Sequence, residues 1–175
     1  MGKVIYSTIQ SKLLDKQMAF SIYLPDKYDG ESRFPVLYFF HGRSGDERIM
    51  DELEIKSIAD VFIDSGQIRS IIIVCPRMGN TRGLNTSDVS HQIVSNGVKF
   101  DSGRYEDYFI QEFLPHIDSH FKTIPYRENR FIGGASAGGF AATHYGLQYP
   151  ELFSRVGGHM PAIETELDPS DIPYY

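Results

Sequence analysis

Ser136 stands in Gly133-Gly134-Ala135-Ser136-Ala137-Gly138-Gly139, with a glycine two residues away on either side and further glycines beyond. A short apolar run, residues 130–132, enters this stretch, and a small-residue, helix-compatible run, residues 140–148, leaves it. Gly-x-Ser-x-Gly between a strand and a helix is the nucleophile-elbow pattern, a serine on a sharp strand-to-helix turn. The turn is strained, so side chains tolerate the serine's backbone conformation poorly, and bulky neighbours two residues away would clash. The helix that starts after the serine aims its free N–H groups and its positive end at the serine oxygen. An oxyanion formed there meets donors already in place. The bland alternative is a flexible or close-packed Gly/Ser turn. A phosphate cradle is the weaker reading, because no lysine follows the glycines and the Gly-x-Gly-x-x-Gly spacing is absent.

The elements that must hold this turn are legible in the chain. Residues 4–10 and 18–24 read as two strands of a hairpin, the second alternating Ser21 and Tyr23 against Phe20, Ile22 and Leu24, as in a half-buried strand. Residues 35–40 form a continuous apolar run, expected of a strand covered on both faces. It ends in His41-Gly42-Arg43-Ser44-Gly45-Asp46. A helix over residues 47–64 follows, with Ile49, Leu53, Ile58 and Phe62 as its apolar stripe. Residues 70–75 make the next buried strand, stopped by Pro76. Residues 77–103 show little periodicity and are a candidate rim of a substrate site, where Asp88 and His91 could touch substrate.

Tyr105, Phe109, Phe113, Ile117 and Phe121 recur every four residues and mark a helix over 105–121, in which Pro115 implies a kink or an early break. Residues 129–133 feed the Ser136 turn, 137–148 form the helix after it, and 154–158 read as a short strand. Strands alternating with helices imply an α/β fold, a mostly parallel sheet with helices on both faces and a site at the carboxyl ends of the strands. If the strands before His41 and before Ser136 are neighbours, their two glycine-rich turns face each other across one crevice.

The bulk numbers bound the rest. At 175 residues the chain is long enough for one domain with a substantial core. A net charge of -6 without a basic cluster argues against nucleic acid as a partner. The single cysteine, Cys75, excludes an internal disulfide and reads as a buried small residue. No long apolar segment opens the chain, so no membrane partner is expected. The expected location is the cytoplasm, or outside the cell if a leader was removed.

Several ordered pieces then carry a resemblance. They are Phe34-Pro35-Val36-Leu37-Tyr38 leading to His41-Gly42, Ile72 to Pro76, and Tyr105-Glu106 with Leu114-Pro115-His116-Ile117-Asp118. Arg130 to Phe140 around Ser136 and Tyr149-Pro150-Glu151-Leu152-Phe153 complete the set. In this order the chain resembles the esterase D and feruloyl-esterase branch of the α/β-hydrolases. The family commonly has Gly-Leu-Ser-Met-Gly-Gly where this chain has Ala135 and Ala137 at the variable places. The resemblance implies an α/β-hydrolase fold with Ser136 as nucleophile and the backbone N–H groups of Ala137 and Arg43 as oxyanion donors. His41 would hold the loop by hydrogen bonds. The reaction implied is hydrolysis of a small-molecule ester through an acyl-serine, with no metal or organic cofactor. Arg43, Arg77 and Arg82 near the site suggest an anionic or sugar-linked ester.

The chain also departs from the pattern. The fold orders its triad serine, acid, histidine. After Ser136 come the acids Glu151, Glu164, Glu166, Asp168 and Asp171 and the histidines His144 and His159, with no histidine after Asp168. The family's acid and histidine therefore have no matching positions, and its last strands have no counterpart in the sequence. Three readings stay open: a fragment of a longer esterase, a chain complemented by a further segment or by a second copy, and a short form without hydrolase activity. In the last case the chain is a hydrolase-like binding module; acyl transfer to another alcohol is a further option on the same fold. A truncated sheet would leave an apolar edge near residues 154–158. His159 is a candidate substitute base, more readily a pocket-lining or exposed residue. His144 reads as a packing or surface residue, and His116 and His120 as a solvated helix face despite their metal-compatible spacing.

Overall fold

The N-terminal chain folds back on itself. In the computed structural model, which describes residues 1–87, 94–95 and 98–163, β1 (Lys3–Ser11) pairs antiparallel with β2 (Lys16–Leu24), from Lys3↔Leu24 to Ser11↔Lys16. Asp88, His91, Glu164, Glu166, Asp168 and Asp171 lie outside the described residues.

Four parallel strands extend the sheet. They are β3 (Val36–Phe40), β4 (Ile72–Pro76), β5 (Arg130–Ala135) and β6 (Arg155–His159), and the order across the sheet is β1-β2-β4-β3-β5-β6. β2 meets β4 antiparallel, while β4–β3, β3–β5 and β5–β6 are parallel. The expected mostly parallel sheet is present, and β3 and β5 are neighbours in register Phe40↔Gly134. No helix of the described residues is long and apolar enough to cross a membrane.

Helices cover both faces, as expected. One face carries α3 (residues 105–120) and α4 (Ala137–Gln148). Tyr105, Phe109, Phe113 and Ile117 are fully buried there against Phe20, Tyr38, Phe40 and Val74. Edge-to-face ring pairs lock this layer, among them Phe40–Phe109 at 4.9 Å and Tyr38–Phe109 at 5.5 Å. Pro115 does not end the helix. A wider π-type turn over Tyr108–Phe113 precedes it, and the chain stays helical to His120. A helix can relax in this way where a proline withholds the N–H that an α-helical ladder needs.

The opposite face carries α1 (Ile49–Glu52) and α2 (Ile55–Asp64). The single helix expected over 47–64 is thus broken, at Glu54, which adopts a left-handed φ of 50°. The break resets the helical phase. Ile49 stays buried, but Leu53, Ile58 and Phe62 face solvent, and Ile55, Ala59 and Ile63 pack on the sheet instead. β2 differs from expectation for a related reason. It lies inside the sheet, so Ser21 and Tyr23 are as buried as Phe20 and Ile22. Their hydroxyls are satisfied from this helical layer: Ser21 donates to the Glu47 carbonyl at 2.7 Å and Tyr23 to Asp60 Oδ1 at 2.8 Å.

Cys75 is fully buried in β4, and burial pushes its thiol up to about 12, which fits an inert core residue. β6 is exposed along its whole length. Val156 is the only large apolar residue of this edge strand, which reads Arg-Val-Gly-Gly-His, and most of the apolar surface beside it belongs to the sheet face. There Leu37, Phe39, Ile73, Phe131 and Val156 line a groove of about 940 Å³.

Candidate active site

Ser136 joins β5 to α4 and is exposed, with φ 53° and ψ -116°. The flanking glycines explain why this conformation is reachable. A Cβ on Gly138 would stand 2.4 Å from the His41 carbonyl oxygen and 2.5 Å from that of Phe40. One on Gly134 would stand 2.4 Å from the Gly138 carbonyl oxygen. Strand, turn and helix can meet this closely only if both positions lack a side chain. The end of β3 therefore abuts the start of α4, which sets the two glycine-rich turns against each other. A Cβ built on Gly42 would lie 3.4 Å from that of Ser136.

The serine's backbone is tied to the chain after β6. Its N–H donates to the His159 carbonyl at 2.9 Å, and its carbonyl accepts from Ala162 N–H at 3.0 Å as well as from Phe140 N–H in α4. Among the described residues its hydroxyl makes no hydrogen bond. Ala137 begins α4, so its N–H has no partner within the helix. Arg43 follows Gly42, in a turn closed by Gly45 N–H donating to the Gly42 carbonyl at 3.1 Å.

His41 is buried behind this turn. Its Nε2 accepts from Met78 N–H at 3.0 Å, so Nδ1 carries the proton and donates to the Gly42 carbonyl at 2.8 Å. The ring thereby ties the turn after β3 to the turn after β4. Burial lowers its pKa below the ordinary 6.5 and keeps it neutral. Unfolded, His41 titrates near 6.5; folded, it resists protonation. Its contribution is complete above that pH and is lost as the pH falls toward the depressed folded value. His116 is shifted in the same direction, by burial and by His120. Urea midpoints at neutral and mildly acidic pH should therefore fall with acid, and the fall should be smaller in His41→Gln. An equal fall in both proteins would remove His41 from this account.

The remaining sequence candidates separate. Arg77 is held in the turn by ion pairs to Asp46 (2.7 Å) and Glu47 (2.9 Å). Arg82 lies over the Phe140 ring, 5.5 Å from its centroid. The Arg43 guanidinium lies over the Phe100 ring at 5.0 Å. The loop after β4 reaches the same rim, since Asn80 Oδ1 accepts from Ser44 N–H at 3.3 Å. His159 meets Ser136 through its backbone, while the residue itself lines the groove on the sheet face. His144 Nε2 lies 3.3 Å from Glu106 Oε2, away from the serine. His116 and His120 stack with centroids 4.1 Å apart, and the described residues hold no group of three potential metal ligands. Glu151 is exposed beyond α4. The sequence reading missed the clasp of residues 159–162 on Ser136 and the stacking of Arg43 on Phe100. Both join segments distant along the chain, and no local pattern announces them.

The family model for esterases matches residues 11–171. The chain belongs to the Esterase family. An esterase of Mycobacterium tuberculosis is 30% identical to this family member over 157 residues, 88% of this chain and 31% of that protein. An endo-1,4-beta-xylanase/feruloyl esterase of Xylanibacter ruminicola is 30% identical over 185 residues, 99% of this chain and 24% of that protein. Among solved structures, a ferulic acid esterase superposes with a TM-score of 0.72 at 32% identity, covering 87% of this chain and 56% of that one. An S-formylglutathione hydrolase from Agrobacterium tumefaciens shares the fold at a TM-score of 0.77 and 20% identity, covering 99% and 64%. The fold is that of the α/β-hydrolases. This esterase-family chain spans about a quarter to a third of the curated relatives named and somewhat over half of the solved neighbours.

Proposed function

We propose that the chain carries the nucleophile and oxyanion site of a serine carboxylesterase. The observation that carries this reading is the exposed Ser136 at φ 53°, at the N-terminus of α4 and against Gly42. In the proposed reaction Ser136 Oγ attacks the ester carbonyl carbon as its proton passes to a general base, which returns it to the leaving alcohol oxygen. The carbonyl oxygen becomes an oxyanion between the N–H groups of Ala137 and Arg43. The alcohol then leaves with a proton, and water hydrolyses the acyl-serine. The turn at Ser136 is a nucleophile elbow in this reading, and the substrate is a small-molecule ester. The family match and the ferulic acid esterase neighbour support this, and a sugar-linked ester is consistent with the feruloyl-esterase relative. The acid and base of the triad are not assigned to any residue of this chain.

One observation favours a second reading, an ester-binding module without turnover: among the described residues no imidazole or carboxylate is hydrogen-bonded to the Ser136 hydroxyl. Intact mass after treatment with a fluorophosphonate separates the two. A single adduct mapping to Ser136 is expected. A folded protein that takes up no adduct would move the assignment to the binding module.

A further inference from the structure

Three arginines lie in the segments that follow β3 and β4, and the structure gives them different employment. Arg77 is occupied by two carboxylates. Arg82 lies on Phe140, one turn along α4 from the serine. Arg43 is exposed and makes no ion pair among the described residues; its guanidinium lies on the face of Phe100. Asp101, the carboxylate beside Phe100, is engaged by Asn80 N–H at 2.8 Å. Gly42, the residue before Arg43, faces Ser136 closely enough that a Cβ built on it would lie 3.4 Å from the serine Cβ.

A guanidinium lying on an aromatic face is held in direction while its edge donors stay available, and that edge matches the two oxygens of a carboxylate. The loop that presents it is fixed at three places: His41 to Met78, Ser44 to Asn80, and Asn80 to Asp101. The arginine therefore stands on a braced rim, one residue from the glycine that faces the serine.

We propose that Arg43 is a specificity residue, and that the site prefers esters whose acyl chain ends in a carboxylate within reach of the Arg43 guanidinium. This rests on the reading of Ser136 as the nucleophile. The backbone N–H of Arg43 would face the oxyanion, while its side chain holds the substrate's anionic end against Phe100.

The test is binding in the Ser136→Ala background, where no turnover intervenes. The probes are monoethyl succinate and ethyl butyrate, which differ at the end of the acyl chain by a carboxylate in place of a methyl, followed by NMR titration. The succinate ester is expected to bind about tenfold tighter, the order expected of a charge-assisted, hydrogen-bonded pair. Arg43→Gln should abolish the preference and Arg43→Lys should restore part of it. Added salt should weaken the succinate ester alone. Arg127→Gln, at the other end of β5 where Arg127 bonds the Pro150 carbonyl, should change nothing. Equal affinities, no binding of the succinate ester, or a preference that survives Arg43→Gln would each overturn the proposal. Release of 4-nitrophenol from 4-nitrophenyl butyrate, compared between the natural chain and Ser136→Ala, reads the serine chemistry separately. The two readings can thus fail independently.

Discussion

Ser136→Ala is expected to remove the fluorophosphonate adduct and all hydrolysis of 4-nitrophenyl acetate above background, with no loss of stability. Both effects follow if the Ser136 hydroxyl is the group that forms the covalent bond. The stability half follows from the backbone. Alanine has the same difficulty with a φ of 53° as serine, so the strain of order 1–3 kcal/mol at this position is retained rather than relieved. The bonds that hold the residue, to His159, Ala162 and Phe140, all use its main chain. The change therefore isolates the hydroxyl. The check is a rate assay paired with a melting curve. Equal rates for the two proteins would remove Ser136 from the chemistry.

Gly138→Ala should act through the fold. Inside a helix, alanine is favoured over glycine by about 1 kcal/mol. Here that gain is opposed by a Cβ at 2.4 and 2.5 Å from two backbone carbonyl oxygens at the end of β3. Neither is the tip of a flexible side chain, so α4 and the His41 turn must separate. Overpacking typically costs about 1–3 kcal/mol, and a clash with two backbone oxygens belongs at the upper end, about 3 kcal/mol. The expected result is a net loss of about 2 kcal/mol in urea unfolding and loss of the fluorophosphonate adduct. Gly157→Ala supplies the control. A Cβ there meets nothing within 4 Å, and the position carries no positive φ. A Gly138→Ala protein as stable as the natural chain would mean that the approach of the two turns is looser than described.

The turn that holds Ser136 was legible where its pattern is local in the chain. Ser136 with its glycines, the helix over Ala137–Gln148 and the strands around His41 all follow from spacing and composition, and the structure places them as expected. So did the juxtaposition of the two turns, which required only that β3 and β5 be neighbours. The failures are of one kind. The phase of the 47–64 helix was lost because a single left-handed residue, Glu54, resets the register without any glycine or proline to announce it. Ser21 and Tyr23 were read as solvent-facing because alternation reports polarity. It does not report whether the layer on the far side supplies acceptors, as Asp60 of α2 and the Glu47 carbonyl in the turn before α1 do. The end of β6 and its clasp on Ser136 left no trace in local pattern, since they join residues more than twenty apart.

That clasp has a consequence for how the serine is protected. β3 and β5 lie inside the sheet with a hydrogen-bonded strand on either side, but β6 is at its edge and open to solvent along its length, and the Ser136 amide is bonded to its last residue. Hydrogen-bonded amides open with the least stable unit that holds them, so protection varies across a single sheet. The amide of Ser136 therefore belongs to the opening unit of the edge strand, although the residue is covalently part of the segment that joins β5 to α4. Its neighbours Gly133 and Gly134 are in register with β3 as well as β6, and answer to the more protected centre of the sheet. A boundary between two levels of local stability passes through the peptide units just before the serine.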